Sequence, residues 1–162
     1  PNVTILRRKT NLSQDETSMQ EVLYDLFLSE KLDDYIAVLL QATSPLRSDN
    51  DIDNAITMFE TGKYSMVMSV SQKDSRVFKY GSVKDNIFQP LFNVNSVFNN
   101  RQNLSDIFSP NGAIYIFSIK SFIESRQFPY SSIGAYIMPN DRSLDIDNAN
   151  DLLKANELLS II

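Results

Sequence analysis

The chain has 162 residues, a hydrophobic fraction of 43% and a formal net charge of −5, from 15 Lys and Arg against 20 Asp and Glu. A chain of this length and composition is expected to fold as one ordinary domain and is not a disordered tail. The acidic balance argues against a nucleic-acid binder, and the absence of Cys and His excludes Cys/His zinc sites, disulfides, a Cys nucleophile and a Ser-His-Asp triad.

The first part of the chain predicts alternating strands and helices. The expected elements are the end of a strand at 3–6, a helix over 19–27 capped by Ser13 or Asp15, a strand at 35–40, a helix starting at Asp49 or Asn50, and a strand at 65–71. The run Tyr35–Leu40 consists of six apolar residues, which is typical of a strand covered on both faces. We therefore expect a βαβ arrangement with parallel strands and right-handed crossovers.

The pattern changes after this point. Residues Gln72–Pro110 have no long helical period and contain short β-prone pieces at 77–80 and 87–91, so they predict an antiparallel excursion from the main sheet. The remaining predicted elements are a strand at 113–117, a short helix at 118–125, a strand at 135–138, and a helix from Asn148 that buries Leu152, Ala155, Leu158 and Leu159. No apolar run reaches the roughly 18 residues of a membrane span, the first residues are not typical of a signal peptide, and the predicted localisation is cytoplasmic.

The first candidate site is the loop Gln41–Arg47, which follows the most apolar strand. It offers an amide, two hydroxyls and a guanidinium at the carboxyl end of a strand, and the next helix begins just after it. In open α/β sheets ligands bind at these strand ends, and such a loop suits a phosphate or a nucleobase. The alternative is a capped turn in which Thr43 and Ser44 bond only to local backbone.

The second candidate site is the sequence Asp145-Ile146-Asp147. In an extended segment, side chains two residues apart point the same way, so both carboxylates are able to share one face and hold a cation. Oxygen ligands suit Mg²⁺, which keeps several waters and bridges to substrate phosphates. The alternative is that Asp147 or Asn148 only caps the last helix. The expectation that this pair lies beside the loop Gln41–Arg47 depends on the tertiary structure.

Two weaker candidates complete the set. Ser109-Pro110-Asn111-Gly112 predicts a turn, which is usually structural, although a Gly admits close backbone approach and an Asn recognises sugars or amides. Lys79 and Arg101 lie in the excursion, where single basic residues are usually only solvated. The alternative is that these two cations, in a chain with a net charge of −5, bind an anionic ligand.

These residues bear a family resemblance. Gln41–Arg47, after an apolar strand, resembles the signature of the acylneuraminate cytidylyltransferases, which are the CMP-sialic acid synthetases and their relatives; the family usually has Pro where this chain has Ala42. Further blocks that look like the family's are Arg8–Ser18, Pro110–Ile116, Tyr136–Pro139 and Arg142–Asp147. The resemblance covers almost the whole chain, and residues 72–100 match least well.

One departure from the family pattern stands out. Family members begin with a strand and a loop of the type Ala-Arg-x-Gly-Ser-Lys, which wraps the triphosphate, and this chain has no such block. The resemblance therefore implies the C-terminal two-thirds of a Rossmann-like nucleotidyltransferase domain, with helices on both faces of the sheet and with the N-terminal strands missing. We expect a single domain over 1–162 in which residues 72–110 form a dimerisation and sugar-binding arm.

The resemblance also implies a function. It predicts transfer of CMP from CTP to a nonulosonic, sialic-type nine-carbon acid with release of pyrophosphate, in a homodimer that uses Mg²⁺. By matching position, Asp145 and Asp147 would hold Mg²⁺ and one of them would help to deprotonate the attacking hydroxyl. The substrate-binding residues implied in this way are Ser18, Gln41, Arg47, Lys79, Arg101, Asn111 and Tyr115, with Lys79 and Arg101 reaching the sugar carboxylate, often from the partner subunit.

Two other hypotheses about the function remain open from the sequence. One is a nucleotidyltransferase for a different acidic sugar, although the loop Gln41–Arg47 differs from the Gly-Asp-Glu-Pro loop of the Kdo enzymes. The other is a non-catalytic binding or interaction fragment that keeps the arm without the triphosphate loop. Because it lacks the triphosphate loop, the chain alone is expected to be inactive even where the protein that contains it is the enzyme.

Overall fold

The computed structural model describes residues 3–160. Within that range, the strands are β1 (Ile36–Leu39), β2 (Met66–Lys73), β3 (Gly81–Lys84), β4 (Ile87–Pro90), β5 (Ile107–Ser118) and β6 (Ile133–Ile137). The α-helices are α1 (Met19–Ser29), α2 (Asp49–Glu60), α3 (Val94–Phe98), α4 (Ile119–Ser125) and α5 (Ala149–Leu159). Short 3-10 helices occupy Thr10–Leu12, Ser75–Lys79, Arg101–Asn103 and Asn140–Arg142. In this described range no helix has the length and apolar character needed to cross a membrane.

The main sheet has four strands in the order β1-β5-β2-β6. Strands β1 and β5 are antiparallel, with Ile36 opposite Ser118 and Leu39 opposite Tyr115. The N–H of Met66 donates to Ser132 and that of Met138 donates to Val70, so β2 and β6 run in the same direction. The fold is therefore α/β with a mixed sheet, consistent with the expected Rossmann-like class.

The chain divides into two compact units made of interleaved segments. The first unit contains the chain up to Gln41, Asp49–Met68 and Ile114–Tyr136. The second unit contains Ala42–Ser48, Ser69–Ala113 and the chain from Ile137 onward. Strands β2, β5 and β6 contribute residues to both units.

The first unit has an aromatic core. Helix α1 begins with a capping box in which Ser18 accepts a hydrogen bond from the N–H of Glu21 and the Glu21 carboxylate accepts from the N–H of Ser18; this replaces the expected caps at Ser13 or Asp15. The helix then buries Leu23 and Phe27. The ring of Phe27 packs edge-on against two buried phenylalanines and joins a cluster that consists of Leu23, Phe27, Ala37, Met66, Phe117, Ile119 and Phe122.

The second unit contains the excursion from the main sheet. Strands β3 and β4 form an antiparallel hairpin, as predicted for this region, with Lys84 opposite Ile87. Asp85 and Asn86 connect them at positive φ angles of 51° and 62°, which matches the two-residue turns that suit the twist of a hairpin. The predicted strand at 77–80 is wrong, because most of it lies in the 3-10 helix Ser75–Lys79, which Asp74 caps through the N–H of Arg76.

Several further expectations are corrected by the structure. Val3–Leu6 is not a strand, since in the described residues no strand pairs with it. Only one face of β1 is covered, because Ile36 and Val38 are 51% and 37% exposed while Ala37 between them is buried. In α5 the predicted core residues Leu152 and Leu159 are about half exposed, at 49% and 48%, and Ala155 is the buried one.

Candidate functional site

The loop after β1 and the acidic segment before α5 lie side by side in the second unit. The N–H of Ile146 donates to the carbonyl oxygen of Thr43 at 2.9 Å. This bond joins the middle of the hydroxyl-rich loop to the middle of the Asp145-Ile146-Asp147 sequence. The prediction that these two segments are adjacent is therefore confirmed, and Thr43 and Asp147 both have exposed side chains there.

The two carboxylates of the acidic pair, Asp145 and Asp147, differ in burial and in hydrogen bonding. Asp145 is half-buried, and its Oδ1 is a buried oxygen without a hydrogen-bond partner among the residues that the structure describes. Asp147 is exposed, and its N–H donates to Oδ2 of Asp151 at 3.3 Å. The cap of α5 is Asn148, whose side-chain oxygen accepts from the N–H groups of Asn150 and Asp151. The side chain of Asp147 is thus not used as the cap.

The orphaned oxygen of Asp145 provides a test of whether Mg²⁺ fits. A buried carboxylate oxygen without a donor or cation costs free energy, so a ligand that supplies positive charge would stabilise it. In residues 3–160, however, no group of three or more acidic side chains is arranged to hold a metal ion. Mg²⁺ is commonly held by one or two carboxylates plus waters and substrate phosphates. The orphaned oxygen of Asp145 is compatible with such an ion, and metal binding by Asp145 and Asp147 stays a prediction.

Asn111 is the centre of a buried hydrogen-bond network. It is only 5% exposed, and its side-chain oxygen accepts from the hydroxyl of Ser69 at 2.6 Å and from the N–H of Ala113 at 3.2 Å. Its amide nitrogen donates to the hydroxyl of Ser143 at 2.9 Å, and its backbone carbonyl accepts from the hydroxyl of Ser44 at 3.4 Å. The network therefore connects strands β2 and β5 to both segments of the candidate site.

The predicted turn at Ser109–Gly112 is part of strand β5 instead. Gly112 has a φ of 76° within this strand, a conformation that glycine adopts without strain. The pairing of β1 with β5 ends at Tyr115, so Pro110 lies beyond the stretch that pairs with β1. A proline, which has no N–H to donate, is tolerated at such a position.

Arg47 contributes a partly buried cation to the loop. Its guanidinium donates to the carbonyl oxygens of Ser44 at 2.8 Å and of Ala113 at 3.4 Å. Burial lowers the pKa of the Arg47 guanidinium, but an arginine remains charged in proteins. The alternative of a turn whose hydroxyls bond only to local backbone does not hold for Ser44, because its hydroxyl donates to Asn111, 67 residues away. The side chain of Thr43 is exposed, and the role of the loop in binding a ligand stays a prediction.

The start of α2 is less suited to an anion than the sequence suggested. Its first turn carries Asp49 and Asp51, and Asp51 is fully buried and accepts a hydrogen bond from Tyr136 at 3.0 Å. These carboxylates already complement the positive end of the helix. A phosphate near the loop would therefore depend on the guanidinium and a cation more than on this helix.

A polar cleft of about 550 Å³ lies elsewhere in the second unit. Its lining residues are Gln72, Lys73, Asp74, Ser75, Arg101, Gln102, Leu104, Asp106 and Asn140. Arg101 is exposed, with Nη2 3.8 Å from Oδ1 of Asp74. The Nε of Arg76 donates to the same carboxylate at 2.7 Å, which is the main reason why the pKa of Asp74 is lowered to about 2. Lys79 is half-buried and does not line this cleft.

Three predicted substrate-binding residues belong to the first unit. Ser18 caps α1, and its hydroxyl donates to the Glu21 carboxylate at 2.9 Å. The Ser18 N–H and hydroxyl together lower the pKa of that carboxyl, the backbone bond having the larger effect. The ring of Tyr115 stacks on Phe128 at 6.3 Å, and Gln41 is half-buried. Their roles as substrate contacts stay predictions.

The sequence interpretation missed the serines of the network. Ser69 and Ser143 are not among the predicted site residues, yet they fix the side chain of Asn111. A signal for Ser69 was present, because Ser69 and Ser71 interrupt an otherwise apolar strand and both are buried. Polar residues on one face of a buried strand indicate an internal hydrogen-bond network.

The chain is similar over nearly its whole length to several curated proteins. It is 30% identical over 164 residues to an N-acylneuraminate cytidylyltransferase of Streptococcus agalactiae (serotype III, strain NEM316), covering 93% of this chain and 36% of that protein. It is 32% identical over 149 residues to an N-acylneuraminate cytidylyltransferase of Escherichia coli O18:K1:H7, covering 90% of this chain and 35% of that protein.

A third relative is matched over a larger share of its own length. The chain is 30% identical over 165 residues to a CMP-N,N'-diacetyllegionaminic acid synthase of Legionella pneumophila, and the match covers 95% of this chain and 68% of that protein. The chain thus spans about a third of the length of the first two relatives and about two thirds of the third. No protein-family model matches the chain.

Proposed function

Because the chain belongs to the acylneuraminate cytidylyltransferase family, we propose that the protein containing it transfers CMP from CTP to a nonulosonic, sialic-type acid and releases pyrophosphate. The similarity over 90% or more of the chain to three such proteins supports this reaction. The observation in the structure that carries the proposal is the bond between Thr43 and Ile146. It places an acidic pair with an orphaned oxygen against a loop that bears a guanidinium and hydroxyls.

The residues of this site have distinct proposed roles. The anomeric hydroxyl of the sugar attacks the α-phosphate of CTP in line, and the exposed carboxylate of Asp147 accepts its proton or helps to orient it. The bond to pyrophosphate breaks as the bond to the sugar oxygen forms. Asp145 and Asp147 would hold the cation, and Arg47 and Gln41 are proposed to contact the nucleotide. A bound Mg²⁺ would supply positive charge to the phosphate oxygens.

The sugar is proposed to bind through its carboxylate. Arg101 is the candidate because it is exposed on a polar cleft with hydrogen-bonding groups such as Gln72 and Asn140, which suit an acid rich in hydroxyl and amide groups. Lys79, Ser18 and Tyr115 complete the set of proposed substrate contacts. Since relatives carry names for two different acids, N-acetylneuraminate and N,N'-diacetyllegionaminate are the two acceptors to compare.

A homodimer is proposed for the intact protein. The excursion exposes eight large apolar side chains, namely Tyr80, Val83, Ile87, Phe88, Leu91, Phe92, Val94 and Phe98. Large apolar side chains exposed in this number within one segment favour an interaction surface. Its place in the predicted dimerisation arm favours a second copy of the same chain as the partner.

The reaction is tested by assaying the protein that contains this chain with CTP, Mg²⁺ and each of the two acids. Asp147→Ala is expected to reduce formation of the CMP-sugar by at least about 100-fold, the low end for the loss of a general base, without lowering the melting temperature. The matched control is Asp141→Ala, which removes a carboxylate from the nearby 3-10 helix Asn140–Arg142. Turnover in Asp147→Ala equal to that of the unmodified protein would remove the proposed role of this residue, and no product with either acid would reject the reaction.

A further inference from the structure

The position of Asp145 is fixed at both ends of a very short segment. On its C-terminal side, the N–H of Ile146 is bonded to Thr43 at 2.9 Å. On its N-terminal side, the hydroxyl of Ser143 accepts from the amide of Asn111 at 2.9 Å and donates to the carbonyl of Pro139 at 2.7 Å. Only Leu144 and Asp145 lie between the two anchored residues, so the backbone that carries the orphaned carboxylate has little freedom.

The orientation of the Asn111 amide is determined by its other partners. Its oxygen receives two donors, the hydroxyl of Ser69 and the N–H of Ala113. An amide oxygen only accepts and an amide nitrogen only donates, so the nitrogen must face Ser143. The hydroxyl of Ser143 has one hydrogen, which Pro139 receives, and it therefore meets the amide as an acceptor. Every donor in this hydrogen-bond network therefore meets an acceptor, from Ser69 in β2 to Ser143 beside the acidic segment.

We propose that Ser69, Asn111 and Ser143 form a positioning relay that holds Asp145 ready for a divalent cation, and that Asn111 acts through this relay instead of contacting the sugar. The side chain of Asn111 is buried, and both its oxygen and its nitrogen are already engaged within the protein. The same residue also holds the loop, since its carbonyl accepts from the buried hydroxyl of Ser44. Asn111 thus holds both the loop and the acidic segment in place. The inference rests on the proposed function for the identity of the cation.

The relay is tested first by metal binding to the purified chain. Mn²⁺ replaces Mg²⁺ as the probe, because free Mn²⁺ is counted directly by electron paramagnetic resonance. Ser143→Ala is expected to weaken Mn²⁺ binding by about 10- to 100-fold, the usual effect of losing a group that orients a ligand. Ser143→Thr keeps the hydroxyl and should restore most of the affinity. The matched control is Ser160→Ala, which loses a bond of the same 2.7 Å length from a serine hydroxyl to the carbonyl of Glu157.

A second measurement needs no metal. The amide of Ile146 should exchange its hydrogen at least about tenfold faster in Ser143→Ala than in the unmodified chain or in Ser160→Ala, since the segment opens locally when one anchor is lost. Because this change is confined to one segment, it separates a positioning effect from a general loss of stability, which would accelerate exchange in the core of both units alike.

The outcomes distinguish the relay from the proposed function. If the unmodified chain binds Mn²⁺ and Ser143→Ala binds it equally well, the relay is overturned while the metal site stands. If the unmodified chain binds no Mn²⁺, the cation role fails, and with it the proposed purpose of the relay. Unchanged exchange at Ile146 in Ser143→Ala overturns the positioning role in either case.

Discussion

The phenol of Tyr136 donates a hydrogen bond at 3.0 Å to the carboxylate of Asp51, a residue with 0% exposure. The two residues are 85 positions apart in the chain, and the bond ties strand β6 to the first turn of α2 within the first unit. A buried carboxylate is tolerated only when donors surround it, so this contact helps to determine how the chain packs there.

The first prediction concerns this pair. Tyr136→Phe removes one donor from the Asp51 carboxylate and should lower the free energy of unfolding by about 1.5–3 kcal/mol, the usual range for a bond to a charged group. The control is Tyr130→Phe, because the hydroxyl of Tyr130 donates to the exposed side chain of Gln127 at 2.8 Å and its loss should change stability by less than about 0.5 kcal/mol. Equal effects of the two changes in urea unfolding would contradict the prediction.

The second prediction tests the core of the first unit. Leu23 is 6% exposed in α1 and contacts the phenylalanine cluster, whereas Leu153 is 61% exposed in α5. Leu23→Ala is expected to cost about 2–5 kcal/mol, because a buried side chain is lost and a cavity remains. Leu153→Ala makes the same chemical change on a helix surface and should cost under about 0.5 kcal/mol. A small loss in Leu23→Ala, measured by chemical unfolding, would mean that this core is not close-packed.

The third prediction concerns the pH dependence around Asp74. Its pKa is lowered to about 2 from the ordinary value of 3.8 by hydrogen bonds from the side chain and backbone of Arg76. Because the folded pKa is depressed, the stabilising contribution is fully present above the ordinary value and is lost as the pH falls toward 2. The carboxyl carbon of Asp74, followed by nuclear magnetic resonance, should titrate with a midpoint near 2.

A variant provides the check on this assignment. In Arg76→Ala the principal hydrogen bond to Asp74 is missing, so the midpoint should move up toward 3.8. Asp74→Asn should be less stable than the unmodified chain near neutral pH, and the difference should shrink as the pH falls through the range from 4 to 2. A midpoint in the unmodified chain that already lies at the ordinary value would rule out the contact with Arg76 in solution.

The fourth prediction addresses the exposed surface of the excursion. Val83 is 70% exposed and Phe98 is 83% exposed, and a stable dimer typically buries about 800 Å² on each partner. We expect the unmodified protein to sediment as a dimer and the double variant Val83→Ser with Phe98→Ser to sediment as a monomer with an unchanged circular dichroism spectrum.

The matched control for the dimer is an apolar surface residue outside the excursion. Leu153→Ser changes an exposed side chain of α5 in the same direction and should leave the dimer intact. If the unmodified protein is a monomer at high concentration in analytical ultracentrifugation, this surface does not join two copies of the chain.

Local patterns were sufficient for many elements of the fold. The spacing of Met19, Val22 and Leu23 predicted α1, and Asn148 was correctly expected at the start of α5, because helix faces and caps depend on neighbours within a few residues. Gly62, which has a φ of 70°, follows α2, as glycine often does just past the end of a helix. These signals are local, so the sequence carries them without knowledge of the fold.

Errors arose where a distant partner decides the outcome. The apolar run Tyr35–Leu40 predicted a strand covered on both faces, but Ile36 and Val38 on one face of β1 are 51% and 37% exposed. Likewise, the sequence Ser109–Gly112 has the composition of a turn, yet it continues β5. Pairing between strands is a contact between residues far apart in sequence, and composition does not specify it.

The sequence by itself determined the chemical inventory: oxygen ligands without Cys or His, a hydroxyl-rich loop with a guanidinium, an acidic pair, and the family resemblance that connects them. Only the tertiary structure decided that Thr43 meets Ile146 and that Asn111 is a buried junction between strands and site. The physical reason is that a hydrogen bond depends on atoms within about 3 Å, and distances of that kind between remote segments exist only after the sheet has formed.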